Sequence, residues 1–130
     1  MDQPADRPSP RILIVDDQLS NVRLLEHTLR RAGYLDLTST TDPRTVAALH
    51  LEHRYDLILL DLQMPDLNGF QVMQQLQQTA EARPVQILVI SAEPSDMQAA
   101  LNAGANSFLN KPFKLPDVVE RVRVMLSAES

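Results

Sequence analysis

RILIVDDQLSNVRLLEHTLRRAG, residues Arg11–Gly33, decides the fold. Ile12–Val15 is an unbroken aliphatic run that stops at two acids, Asp16 and Asp17. Val22, Leu25, Leu29 and Ala32 then recur at helical spacing, which puts one apolar face on a helix. Ser20 is placed to cap that helix and Gly33 to end it. A buried strand, an acidic turn and an amphipathic helix make one β-α unit, and the rest of the chain repeats it.

Leu35–Ser39 alternates like a half-buried strand, and Asp42-Pro43 opens a second helix that runs through Val46, Ala47 and Leu49 to about His53. Leu57–Leu60 is a third strand, stopping at Asp61, and Leu62–Gly69 (LQMPDLNG) follows as a loop. Phe70, Met73 and Leu76 mark a third helix, and Val85–Ile90 a fourth strand ending at Ser91. Ser95-Asp96 starts a short helix with Met97, Ala100 and Leu101 on its apolar side, closed by Gly104. Phe108-Leu109 is the fifth strand, ending at Asn110-Lys111-Pro112. The last helix begins near Pro116-Asp117 and carries Val118, Val122, Met125 and Leu126 on one side. Strands of near-continuous Ile, Leu and Val suit a parallel sheet covered on both faces, and crossovers of this length enforce parallel pairing. The expectation is a doubly wound α/β domain over residues 11–127, with a proline-bearing flexible tail at 1–10 and a short tail at 128–130.

Composition bounds the function. At 130 residues the chain is one domain, and it holds no cysteine, so disulfide frameworks, thiolate metal sites and cysteine nucleophiles are excluded. Twelve basic against 17 acidic residues give a net charge of −5, which argues against direct nucleic-acid binding. The longest aliphatic runs are four residues, where a membrane span needs about 20. No basic-then-apolar leader precedes the domain, so the expected address is the cytoplasm. Only Gly33, Gly69 and Gly104 are glycines, too few for a dinucleotide or phosphate-binding glycine loop.

In an open parallel sheet, ligands bind beyond the carboxyl ends of the strands. There the sequence puts Asp16 and Asp17 after the first strand, Asp61 after the third, Ser91 after the fourth and Lys111 after the fifth. Three carboxylates and one ammonium sum to −3 + 1 = −2, a charge that a divalent cation would cancel. All-oxygen ligands suit Mg²⁺, with Mn²⁺ able to substitute, and an aspartate can serve as the nucleophile of phosphoryl transfer. Each residue alone has a blander reading. Asp16 or Asp17 could cap the following helix, Asp61 a turn, and Ser91 a helix start, while Lys111 could be a solvated lysine. His50 and His53 could pair on a metal, but with no further ligand nearby they read as a solvated helix face, as does His27.

ILIVDD (Ile12–Asp17), DLILLDLQMPDLNG (Asp56–Gly69), ILVISA (Ile87–Ala92) and GANSFLNKPF (Gly104–Phe113) together resemble the receiver domain of two-component response regulators, over residues 11–126. The resemblance implies a flavodoxin-like fold with five strands in the order 2-1-3-4-5 and five helices. It implies that Asp61 accepts a phosphoryl group from a histidine kinase or phosphotransfer protein. It implies that Asp17 and Asp61 ligate Mg²⁺, with the Gln63 backbone carbonyl added and Asp16 acting through water. Ser91 then matches the switch hydroxyl, Phe108 the aromatic that moves in behind it, and Lys111 the lysine on the phosphoryl oxygens. Gln63 and Glu93 match positions that tune phosphate lifetime. The Lys111-Pro112 bond is expected to be cis, and Leu19, Val22 and Arg23 to lie on the kinase-docking surface. Phosphorylation is expected to repack the face made by the fourth helix, fifth strand and last helix, in a switch that catalyses only its own phosphorylation and hydrolysis. The resemblance also admits a homodimer formed on phosphorylation and an output domain beyond residue 130. Asp16–Asn21 and Thr41-Asp42-Pro43 look like receivers linked to cyclic-di-GMP enzymes, with DNA-binding outputs the other choice.

Two other readings compete. A magnesium phosphatase of the haloacid dehalogenase type needs an acid two residues after its nucleophile, where this chain has Gln63. An inert protein-binding module would not need the intact acids and lysine.

Overall fold

The aliphatic runs become the middle of the sheet because both of their faces can be buried. In the computed structural model, which describes residues 9–62, 69–79 and 85–127, five strands alternate with five α-helices. The strands are β1 (Arg11–Val15), β2 (Asp36–Thr40), β3 (Leu57–Asp61), β4 (Gln86–Ser91) and β5 (Ser107–Asn110). The helices are α1 (Leu19–Arg31), α2 (Val46–His53), α3 (Gly69–Thr79), α4 (Asp96–Asn102) and α5 (Leu115–Ser127). The sheet is parallel throughout, in the order β2-β1-β3-β4-β5, which is the flavodoxin-like doubly wound arrangement.

The pleat sends alternate side chains to opposite faces. Leu13, Val15, Ile58, Leu60 and Val89 meet Val46 of α2, Val72, Met73 and Leu76 of α3 and Ala100 of α4. Ile12, Ile14, Leu57, Leu59 and Leu88 meet Val22, Leu25 and Leu29 of α1 and Val118, Val122 and Met125 of α5. The chain leaves β1 toward β2 on one side and returns to β3 on the other, so the strand order reverses between β1 and β3. The crevice at that reversal is the place where an open sheet binds ligands.

Several boundaries differ from the sequence reading. The first helix is capped by Gln18 rather than Ser20, because the Asp16 carboxylate accepts the Gln18 N–H at 2.9 Å and starts the helix early. Gly33 does follow the helix end, with φ +103°, and the Gly33 and Tyr34 N–H groups close on Arg30 and Leu29 carbonyls. The second strand sits one residue later than Leu35–Ser39, leaving Leu35 66% exposed. Asp42 accepts from the Arg44 N–H and opens a single 3₁₀ turn, Pro43–Thr45, ahead of α2. On α4 only Ala100 is buried, while Met97 and Leu101 face solvent.

His50 is not on a solvated face. It is buried, and its Nδ1 accepts the Tyr55 N–H at 3.1 Å as the chain turns back through Arg54 in a left-handed conformation. Burial, with the Arg54 charge adding to it, holds its pKa below the ordinary histidine value of 6.5. The unfolded chain therefore binds a proton more readily than the folded one. His50 carries no penalty above pH 6.5; stability is expected to fall as pH drops below that value and to level off beneath the folded pKa. Urea titrations at stepped pH should show a shallower dependence in His50→Gln, whose amide oxygen keeps an acceptor without titrating.

Candidate functional site

Strand register assembles the site. Val15 pairs with Leu60, so Asp16 and Asp61 are the next residues out on neighbouring strands. Asp61 pairs with Ile90, and Ser91 with Asn110, which brings Ser91 and Lys111 to the same rim. The Lys111 N–H donates to the Ser91 carbonyl at 2.8 Å, and the Leu62 N–H to the Ile90 carbonyl at 3.2 Å, so the strand tips are tied to one another. The Lys111-Pro112 bond is cis, as the resemblance implied.

Asp16, Asp17 and Asp61 each bring a carboxylate oxygen into a group whose members lie within 4.8 Å of one another. Asp16 and Asp61 are buried and Asp17 is half-exposed. Lys111 Nζ stands 3.3 Å from Asp61 Oδ2, so this lysine is not a free surface cation. Burial raises the Asp16 pKa; the Asp61 charge adds to that, while the Gln18 N–H, Lys111 and Asn21 oppose it. Oxygen ligands at about 2.0–2.1 Å from one ion lie about 3–4 Å apart. Three carboxylates within 4.8 Å of one another are hard oxygen donors with a summed negative charge, the chemistry that suits Mg²⁺. Gln63, expected to lend a carbonyl and to tune phosphate lifetime, lies outside the described residues.

Two neighbours of the cluster escaped the sequence reading. Asn21 Nδ2, in the first turn of α1, donates to Asp16 Oδ2 at 3.3 Å. The spacing Asp16–Asn21 was visible, but only as a family likeness and not as a hydrogen bond. Gly69 is the other. A Cβ there would lie 2.4 Å from Leu62 Cδ2 and 2.9 Å from Leu62 Cα, and Leu62 directly follows Asp61. Gly69→Ala is expected to destabilise the domain by about 1–3 kcal/mol through overpacking, read by urea unfolding, and to slow any reaction at Asp61.

Ser91 is fully buried. Its Oγ accepts the Glu93 N–H at 3.1 Å and donates to Asp96 Oδ2 at 3.0 Å. The Glu93 side chain is exposed. Phe108 is half-buried against the Leu13–Val89 side of the core, where it lines a groove of about 410 Å³ with Pro94, Met97 and Arg121. Arg121 Nη1 donates to Ser107 Oγ and to the Phe108 carbonyl, pinning α5 to β5. On α1, Val22 is core rather than docking surface; Leu19 and Leu24 are its exposed apolar residues. Leu24 joins Asn21, Lys111 and Phe113 around a second groove, of about 470 Å³, that runs up to Asp16.

The arrangement can bind a hard cation, hold an anion against an ammonium and present a buried carboxylate as nucleophile. Among the described residues no helix is long and apolar enough to cross a membrane. The response regulator receiver domain family matches residues 12–123. The chain is similar to the response regulator ArlR of Staphylococcus saprophyticus subsp. saprophyticus, at 34% identity over 116 residues, covering 89% of this chain and 52% of ArlR. It is 36% identical over 118 residues to the transcriptional regulatory protein PrrA of Mycobacterium tuberculosis, covering 91% of this chain and 50% of PrrA. Among solved structures, the chemotaxis protein CheY4 of Vibrio cholerae matches with a TM-score of 0.80 at 28% identity, over 91% of this chain and 99% of CheY4. The chain thus spans about half the length of these two curated relatives.

Proposed function

Because the chain belongs to the response regulator receiver domain family, whose members are signalling switches rather than turnover enzymes, we propose that it is a phosphorylation-operated switch with Asp61 as phosphoacceptor. The observation that carries this reading is the Asp61 carboxylate itself. It is buried at a strand tip, grouped with Asp16 and Asp17 and met by Lys111 Nζ at 3.3 Å.

An Asp61 oxygen attacks the phosphorus of a phosphohistidine on a kinase or phosphotransfer protein. A P–O bond forms as the P–N bond breaks, and the electron pair leaves with the imidazole nitrogen, which takes up a proton. Asp17 and Asp61 would hold Mg²⁺ directly and Asp16 through water, with the Gln63 carbonyl as a further ligand and Mn²⁺ as a substitute. The ion, when bound, neutralises charge on the equatorial oxygens. Lys111 shifts from the carboxylate toward a phosphoryl oxygen, and Ser91 turns its hydroxyl to another. The acyl phosphate carries about −1.5 to −2 charges and three strong acceptors in place of a single carboxylate. Phe108 then follows Ser91 inward, and the groove shared by α4, β5 and α5 changes shape. The groove beside Leu24 and Lys111 reaches Asp16 and offers the donor protein an apolar seat. Glu93, exposed two residues past Ser91, would tune phosphate lifetime together with Gln63.

The relatives' greater length supports an output domain outside this chain, and PrrA's name, a transcriptional regulatory protein, favours a transcriptional output over a cyclic-di-GMP enzyme. A homodimer formed on phosphorylation would use the α4-β5-α5 face. Incubation with acetyl phosphate and Mg²⁺, followed by intact mass, tests the reading. One phosphoryl group per chain, absent when the ion is chelated, is expected. Steady turnover of general phosphate esters, or neither uptake nor ion binding, would overturn it.

A further inference from the structure

A serine hydroxyl has one hydrogen to give. In this structure Ser91 gives it to Asp96, the first residue of α4, at 3.0 Å, while one of its two lone pairs accepts the Glu93 N–H. The Glu93 carbonyl accepts the Asp96 N–H at 3.0 Å, which closes the turn between β4 and α4 around the hydroxyl. Ser91 shares the pleat face of Ile87 and Val89, whose core side includes Ala100 of α4. The hydroxyl is therefore aimed at α4, and its one hydrogen is already given.

We propose that Asp96 is a positioning residue that holds the Ser91 hydroxyl in the resting state and competes with the phosphoryl group for its hydrogen. The inference rests on the switch reading above. No covalent bond changes at Asp96; one charge-assisted hydrogen bond is exchanged for another. Two anions contend for one donor, so phosphorylation cannot draw Ser91 in without releasing the first residue of α4. That release is how a charge on β3 reaches a helix two elements away. The resting bond also raises the concentration of phosphoryl ligand needed to throw the switch.

Beryllofluoride, a tetrahedral phosphoryl mimic, supplies the test in titrations of native protein with Mg²⁺. Asp96→Ala is expected to lower its half-saturating concentration about 3- to 10-fold, the range for loss of one competing hydrogen bond, and Asp96→Asn by less. Amide exchange in α4 of unliganded Asp96→Ala should resemble that of the liganded native protein. In a Ser91→Ala background, Asp96→Ala should change the beryllofluoride midpoint by nothing, which a merely structural role for Asp96 does not predict. Equal effects with and without the Ser91 hydroxyl, or native affinity in Asp96→Ala, would overturn the latch alone. Failure of the native protein to bind beryllofluoride would overturn the switch reading, and the latch with it.

Discussion

Asp61→Asn is expected to bring phosphoryl uptake to background while leaving the domain folded. The substitution keeps shape and volume but removes the nucleophile, because an amide oxygen does not form a stable acyl phosphate. It also takes the local formal charge from −3 + 1 = −2 to −2 + 1 = −1. Asp16, whose carboxyl is raised partly by the Asp61 charge, loses a like-charged neighbour. Against this, Lys111 loses its ionic partner at 3.3 Å. The thermal midpoint of ion-free protein is therefore expected to hold or rise. Native protein should gain about 2.7 kcal/mol of stability at an ion concentration 100 times Kd, and the variant should forfeit most of that gain. Intact mass and thermal melts with and without Mg²⁺ read both halves. A variant that still takes up a phosphoryl group would move the acceptor to another residue.

Leu59→Ala should be the most damaging change away from the site. Leu59 is 1% exposed on β3, the strand between β1 and β4, and packs in the cluster with Leu25 and Leu29 of α1 and Val118 of α5. Truncation leaves a cavity that a close-packed interior cannot collapse around, at a cost of about 2–5 kcal/mol. A domain holds about 5–15 kcal/mol in all, so at mid-range values the urea midpoint should fall by about a third. Leu35→Ala is the control. That leucine is 66% exposed, and its loss should stay within about 0.5 kcal/mol.

What the sequence could disclose followed from how each residue acts. Ile12–Val15, Leu57–Leu60 and Ile87–Ile90 are strands in the structure, because short continuous aliphatic runs suit strands buried on both faces. Once the order 2-1-3-4-5 is granted, Asp16, Asp61 and Lys111 must share a rim, and they do. The phase of β2 was weak because Thr38, Ser39 and Thr40 are all half-buried and give alternation little contrast. The buried His50 depends on the chain turning back through Arg54, and no periodicity reports a turn's direction. For Val22 the helical phase with Leu25 and Leu29 predicts core while the resemblance implies docking surface, and its burial agrees with the phase. Asp96 was visible only as a helix-start residue. Its bond to Ser91 depends on how five residues fold back, which composition does not encode.

Asp16 serves two elements at once. One carboxylate oxygen receives the Gln18 N–H that begins α1, and the other receives the Asn21 amide inside its first turn. Any pull on that carboxylate from the acidic side is thus felt at the root of a helix whose exposed flank, Leu19 and Leu24, is open to other proteins. Thermodynamic reciprocity then applies: a protein that clasps this flank must alter cation affinity by the same factor by which the cation alters the clasp. Under the switch reading proposed above, divalent-ion binding and recognition of the upstream protein would form one coupled equilibrium, with this aspartate between them.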